Sequence, residues 1–382
     1  MHIVVDAMGS DHRPHPDVEG AVLAARELYE ASHGRPQDVI VLVGDKTTVV
    51  QALSRYDTRG LPIEIVHASQ TVDMHERPSR AARNKPESSM MIGMGLVRDG
   101  KADAFVTAGN TGAALTIATL HTLKRIPGVR RPALTSLVRV ENDQLVVLVD
   151  LGANADSRPA WLVQFGVMGS LYAEHVLHQR RPRVALLSNG EEEGKGNSLV
   201  RETAQLFPAT GVNYIGNVEP KEVLRGAADV VVADGFVGNI MLKSLEAVGD
   251  TMFRLLRREL TANPLRMIGA LLTRSAFRKL YRQVDPFEIG GAPLLGVNGV
   301  VIVAHGRTNA KGIKNAIAQA RLAVNAGIIQ ALREGMAAYP VEDEPEPARR
   351  KRRWMAFRWR RSQRARRRSR RISSQISPET PL

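Results

Sequence analysis

Eight short, β-branched apolar runs recur along the first 306 residues, each followed by a polar loop or a segment with helical spacing. The runs are HIVVD (2–6), VIVLVG (39–44), IEIVHA (63–68), DAFVTAG (103–109), LVVLVDLG (145–152), VALLSNG (184–190), DVVVADG (229–235) and GVVIVAHG (299–306). Between them, 16–32, 90–99, 111–123, 159–178, 199–206, 239–259 and 309–334 have helical spacing. Continuous apolar runs of this length suit strands covered on both faces. The alternation predicts an α/β fold: a Rossmann-like layered, largely parallel sheet with helices on both faces.

Charge divides the chain. From Arg349 onward lie 14 of the 53 Lys and Arg but only one acid, Glu379, of 39, so residues 1–348 carry a net charge near +1. Tyr339–Ala348, with Pro340, Pro345 and Pro347 among acids, reads as a linker. The domain expectation is therefore an α/β domain over 1–338, a linker over 339–348 and an Arg-rich tail over 349–382. That tail is too short and polar to bury a core, and is expected to be disordered. Its Trp354, Phe357 and Trp359 interleave with arginines, a pattern suited to an anionic membrane surface or, as the alternative, to nucleic acid. The chain has no cysteine, which excludes disulfides, thiolate metal sites and a cysteine nucleophile. MHIVVDAMG reads as a first strand and not a signal peptide, and no apolar run approaches a membrane span. The expectation is a cytoplasmic protein, peripheral to the membrane.

The strand exits concentrate Gly, Asn, Asp and charge. LLSNGEEEGKGN (186–197) sets Glu191, Glu192 and Glu193 beside Lys195, which is flanked by Gly194 and Gly196. A lysine in such a loop can neutralise a phosphate; the alternative is a solvated surface turn. DAMGSDH brings Asp6, Gly9, Asp11 and His12 together, with no spacing that demands a metal. TAGNTGA places Asn110, Thr111 and Gly112 at a helix start, as an anion cradle or as a plain capped turn. DLGAN contributes Asn154, and DGFVGN contributes Asp234 and Asn239, the latter read as either a helix cap or an amide donor to an oxyanion. Glu192, Lys195 and Asn197 complete the candidate set. There is no G-x-S-x-G elbow, Walker A lysine motif, dinucleotide fingerprint or H-E-x-x-H. The site suits a reaction that aligns two substrates, with no metal or other cofactor.

Asp250–Asp285 departs from the alternation. It reads as two helical stretches split at Asn263-Pro264, with an apolar stripe (Met252, Leu256, Leu260, then Leu265, Ile268, Leu272) among Arg254, Arg257, Arg258, Arg266, Arg274, Arg278 and Lys279. It is either a solvated helical hairpin or a surface that docks an acidic partner or a membrane.

Taken in order, DAMGSD, RPSRAARNKPESSM (77–90), AGNTGA, RPAL (131–134), DLGAN, NGEEEGKGN, GNVEP (216–220), ADGFVGN and GGAPLLGVNGVVIVAHG (290–306) closely resemble the phosphate acyltransferase family of bacterial phospholipid synthesis. The resemblance runs from Met1 to about Arg333. Ser10 and Ser188-Asn189 depart from its pattern, and the tail lies outside it. It implies a fold like those of phosphotransacetylases and isopropylmalate-type dehydrogenases, a homodimer, and conversion of acyl-acyl carrier protein plus inorganic phosphate to acyl phosphate. Lys195 and Asn239 fall on positions the family uses at its active site. The product would pass to a membrane glycerol-phosphate acyltransferase. The rivals are a phosphotransacetylase-like enzyme using acyl-coenzyme A, a dehydrogenase on a related fold, and a tail-driven nucleic-acid binder.

Overall fold

A computed structural model describes residues 1–33, 37–141 and 143–339. The predicted tail and all but Tyr339 of the linker lie outside the described residues.

All eight apolar runs form strands, and three further strands join them. The eleven are β1 (His2–Asp6), β2 (Val39–Gly44), β3 (Ile63–His67), β4 (Ala104–Thr107), β5 (Ala133–Arg139), β6 (Leu145–Val149), β7 (Arg183–Leu187), β8 (Asn213–Val218), β9 (Val230–Val232), β10 (Ala292–Leu295) and β11 (Val300–Val303). They form one sheet in the order β3-β2-β1-β4-β11-β10-β5-β6-β9-β7-β8. Ile3, Val4 and Val5 of β1 and Phe105 and Val106 of β4 are wholly buried, as strands covered on both faces require.

The sheet consists of two parallel blocks, β3-β2-β1-β4-β11 and β6-β9-β7-β8. They are joined through antiparallel β10 and β5. Three successive antiparallel pairings separate β11 from β6, so the blocks run in opposite directions. Their exits nevertheless converge. Val303, ending β11, lies opposite Ala292, while Leu295 lies opposite Ala133 of β5, whose neighbour Thr135 pairs with Val149 at the end of β6. Thr135, two residues on from Ala133, stands level with Pro293, to whose carbonyl it donates at 2.8 Å, so one residue of β10 separates the two levels, about 3 Å at the usual strand rise. Loops from both blocks face one cleft.

Helices Lys46–Leu53, Pro78–Asn84 and Pro220–Leu224 add to those expected. The segment 111–123 is α-helical over Thr111–Thr116 and widens to a π turn at Ile117–His121. Three further differences bear on the site and the basic region. The segment 309–334 is two helices, Ala310–Asn325 and Ile328–Ala338, broken where Gly327 takes φ +62°. The helix expected near Asn239 begins at Gly235 and runs to Leu260, so Asn239 lies in its second turn and is not the cap. The basic region has three helical pieces, the end of Gly235–Leu260, Pro264–Leu272 and Arg274–Val284, instead of two.

Candidate functional site

The loop after β6 is organised by one buried carboxylate. Asp150 Oδ1 accepts from the backbone N–H of Leu134 (3.0 Å) and Ala153 (3.1 Å), and Oδ2 from the backbone and side-chain amides of Asn154 (2.7 and 2.9 Å). Burial pushes its carboxyl pKa up, and these four donors pull the other way. Asn154 Nδ2 also donates to the Pro132 carbonyl at 2.8 Å, so its amide ties this turn to the RPAL segment.

The helix Gly235–Leu260 rests directly on that turn. Asp234 caps it, Oδ1 accepting from Phe236 N and Val237 N at 3.0 and 2.9 Å. A Cβ on Gly235 would stand 2.6 Å from the Asn154 carbonyl, and one on Gly238 only 2.1 Å from that of Asp150. The two glycines of DGFVG therefore let the helix approach, and the approach delivers Asn239 to Gly152. A Cβ on Gly152 would lie 3.8 Å from Asn239 Cγ. Among the described residues the Asn239 side-chain amide has no hydrogen-bond partner.

The loop after β7, the strand beside β9, holds Lys195. Gly194 and Gly196 both take φ +91°, a backbone favouring glycine, and Gly196 N donates to Asn189 Oδ1 at 3.0 Å. The Lys195 stem crosses Gly190, where an added Cβ would meet its Cγ at 2.8 Å and Glu192 Oε2 at 2.9 Å. The three glutamates do not pair with this lysine among the described residues. Glu191 lies 3.5 Å from Lys221, and Glu192 takes the Lys195 backbone N–H on its carbonyl. Lys195 is exposed with a free ammonium among the described residues. Asn197 caps the helix Ser198–Leu206 through Val200 N at 3.0 Å.

The first block supplies a framework. Asp6 is buried and accepts from Thr107 Oγ1 (2.7 Å) and Met8 N (3.1 Å), while burial raises its pKa against those bonds. A Cβ on Gly9 would sit 3.0 Å from Ala108 N and Gly109 N, so Gly9 lets the β1 and β4 loops touch backbone to backbone. Asn110 is fully engaged: Oδ1 takes Ala113 N at 3.0 Å, and Nδ2 donates to the carbonyls of Asp73, Met74 and Glu76. Gly112 packs on Pro78, whereas Thr111 and His12 are exposed. Asp11 N donates to the Gly306 carbonyl at 2.9 Å, bringing the β1 and β11 loops together.

The two blocks meet across a cavity of about 580 Å³. Lys243, Glu246, Asp250 and Arg254 line it from the helix Gly235–Leu260, and His305 and Arg307 from the loop after β11. Asn239 shares the helical stripe of Lys243 and Glu246 by its spacing. Burial, above all, holds the His305 imidazole below its usual pKa. Lys243, His305, Arg307 and Asp150 were not singled out from the sequence. The motifs DLGAN and VVIVAHG contained two of them, and the run from Asn239 to Lys243 is one helical repeat.

Farther along, the basic helices expose their apolar stripe. Leu265 and Leu272 are each 80% exposed. Leu256 and Leu260 are half-buried, and Ile268 is exposed. Arg254 pairs with Asp250 at 3.4 Å, Arg258 with Glu259 at 3.6 Å and Arg266 with Glu259 at 2.9 Å. Arg257, Arg274, Arg278 and Lys279 are exposed beside them. No helix among the described residues is long and apolar enough to cross a membrane.

A family profile described as "Fatty acid synthesis protein" matches residues 1–331. The chain is 44% identical over 336 residues to the phosphate acyltransferase of Geobacter sulfurreducens, covering 88% of this chain and 94% of that protein. It is 47% identical over 317 residues to the phosphate acyltransferase of Geobacter sp. strain M21, covering 83% and 87%. In fold it is similar to a phosphotransacetylase from Streptococcus pyogenes, at TM-score 0.53 and 18% identity over 84% of this chain and 94% of that one.

Proposed function

The chain belongs to the phosphate acyltransferase family and is an enzyme, and on that premise we propose that it transfers the acyl group of an acyl-acyl carrier protein to inorganic phosphate. The products are acyl phosphate and free carrier protein, and the acyl phosphate feeds phospholipid synthesis. The observation that carries this reading is a pair of unspent polar groups, the Lys195 ammonium on the loop after β7 and the Asn239 amide in the second turn of the helix that follows the adjacent strand β9. Asn110, Asn154 and Asn197 are committed to structure.

Phosphate is partly dianionic at neutral pH, so it needs alignment and charge neutralisation more than deprotonation. Lys195 holds it against the thioester. A phosphate oxygen attacks the carbonyl carbon, the carbonyl oxygen becomes an oxyanion, and the carrier thiolate leaves as the carbonyl re-forms. The Asn239 amide donates to that oxyanion, a contribution typically worth ~10²–10³ in rate.

The exposed arginines of 250–285 favour an acidic carrier protein over coenzyme A. The apolar side chains exposed beside them suit an anionic membrane surface, where a membrane glycerol-phosphate acyltransferase receives the product. The enzyme acts as a homodimer.

The test is incubation with acyl-carrier protein and phosphate, followed by hydroxylamine trapping. Acyl hydroxamate that depends on both substrates supports the reading. Equal or better turnover of acyl-coenzyme A would reassign the donor, and no hydroxamate from either would overturn the reaction.

A further inference from the structure

The helix Gly235–Leu260 has a second cavity, on a different face from Lys243. It holds about 740 Å³, within the range of about 300–1,000 Å³ usual for small-molecule sites. Val237, Ile240, Met241, Ser244 and Leu245 line it, a three- and four-residue spacing that keeps them on one helical stripe. Val200 and the ends of β7 and β9 form the facing wall. From Val237 to Leu245 the stripe is about 12 Å long at the usual helical rise.

The polarity is graded along that length. Ser188, Asn189, Asn197 and Asp234 stand at the end nearest the Lys195 loop, and beyond them the stripe is apolar as far as Ser244. Three of the four polar groups are committed: Asn197 and Asp234 cap helices, and Asn189 takes Gly196 N. Ser188 Oγ has no hydrogen-bond partner among the described residues. At the far end Ser244 is exposed, so the cavity opens to solvent there. Val237 and Ile240 remain 40% and 49% exposed despite lining it.

We infer that this cavity holds the acyl chain of the thioester, carbonyl end at the start of the helix, between the Lys195 loop and the Asn239 amide beside Gly152, and methyl end toward Ser244. The inference rests on the acyl-transfer reading above and adds where the chain lies and what sets its length preference. An anionic substrate alone would leave this wall in water, whereas an alkyl chain continuous with a carbonyl beside the Lys195 loop covers it. Each methylene moved out of water contributes roughly fourfold in binding. Selectivity therefore rises with chain length until the cavity is filled, then levels off because longer chains leave through the open end.

The experiment compares kcat/KM for butyryl-, octanoyl- and palmitoyl-carrier protein in the wild type and in Ser244→Trp, a change at an exposed position. The wild type should rise steeply from butyryl to octanoyl. Relative to butyryl, the variant should lose on the order of tenfold on palmitoyl, the equivalent of one or two buried methylenes. A flat wild-type profile, or a variant that changes all three substrates alike, overturns the inference. So does sedimentation showing that Ser244→Trp dissociates an oligomer, which would make the groove an interface between copies. If the wild type forms no acyl phosphate from any donor, the acyl-transfer reading fails on its own. A fluorescent long-chain acyl probe then decides the cavity: saturable binding weakened by Ser244→Trp supports it, and unchanged or absent binding refutes it.

Discussion

Replacing Gly238 by alanine tests how the site is built, because helix propensity and packing predict opposite signs. Alanine in a helix interior gains about 0.8–1.0 kcal/mol over glycine. The new Cβ would stand 2.1 Å from the carbonyl oxygen of Asp150 and 3.3 Å from Leu151 Cδ2. Carbon–oxygen contacts of this kind settle near about 3.3–3.6 Å, so the helix start and the Asp150 turn must separate by more than about 1 Å. The obstructing atom is backbone and cannot swing aside, which places the cost near the upper end of overpacking, about 3 kcal/mol. The net expectation is a loss of about 2 kcal/mol in urea unfolding. Turnover should fall further than stability, because Asn239 moves with the helix and a displacement of about 1 Å can cost ~10² in rate. Gly95→Ala is the control. No atom lies within 4 Å of its added Cβ, so it should gain roughly 0.5–1 kcal/mol and leave turnover unchanged. A Gly238→Ala enzyme as stable and as fast as the wild type would refute the claim that close packing on Asp150 positions Asn239.

Lys195→Ala should abolish acyl-phosphate formation while unfolding at the wild-type urea midpoint, since the ammonium makes no internal ion pair among the described residues; unchanged kinetics would remove it from the site. Asn239→Ala should lower kcat by ~10²–10³ with little change in stability, whereas Asn154→Ala, which breaks bonds to Asp150 and Pro132, should lose about 1–3 kcal/mol. If Asn239→Ala loses only stability, its role is structural. At Asp229, burial raises the carboxyl pKa but hydrogen bonds and charge from Arg183 outweigh it and hold it below the usual value. A depressed folded pKa stabilises above the unfolded value near about 3.9 and is lost as pH falls through the folded one. Asp229→Asn should therefore be less stable than the wild type at neutral pH and converge with it in acid; a constant difference across that window would assign the effect to packing. Reversing Arg257 and Arg258 to Glu should raise KM for the carrier protein or release the enzyme from anionic vesicles, and no change in either would leave the helices of 250–285 a structural element.

The sheet was legible where strands are continuous apolar runs. The three unread strands lack that signal for different reasons. β5 (ALTSLVR) mixes hydroxyls and charge, edge strand β8 (NYIGNV) carries Asn and Gly, and β10 (APLL) contains Pro293. Two of these, β5 and β10, carry the antiparallel reversal, so alternation alone gave the α/β class but not the opposed blocks. The candidate loops were legible because glycine and short polar residues mark strand exits. Their division of labour was not. Asn110, Asn154, Asn197 and Asn239 look alike in sequence, and only the fold shows that the first three are committed to caps and ties while Asn239 is held against Gly152 with its amide unused. Asp150 was passed over because a single acid at a strand end carries no periodic signal, although four donors converge on it.

The most direct measurement is a single turnover of acyl-carrier protein with phosphate labelled at all four oxygens with oxygen-18, read by mass spectrometry of the acyl phosphate. Direct attack makes a phosphate oxygen the bridge to the acyl carbon, so the account predicts product carrying all four labelled oxygens, formed at a rate that collapses in Lys195→Ala. Product that has lost one label, or free fatty acid with no acyl phosphate, would contradict it.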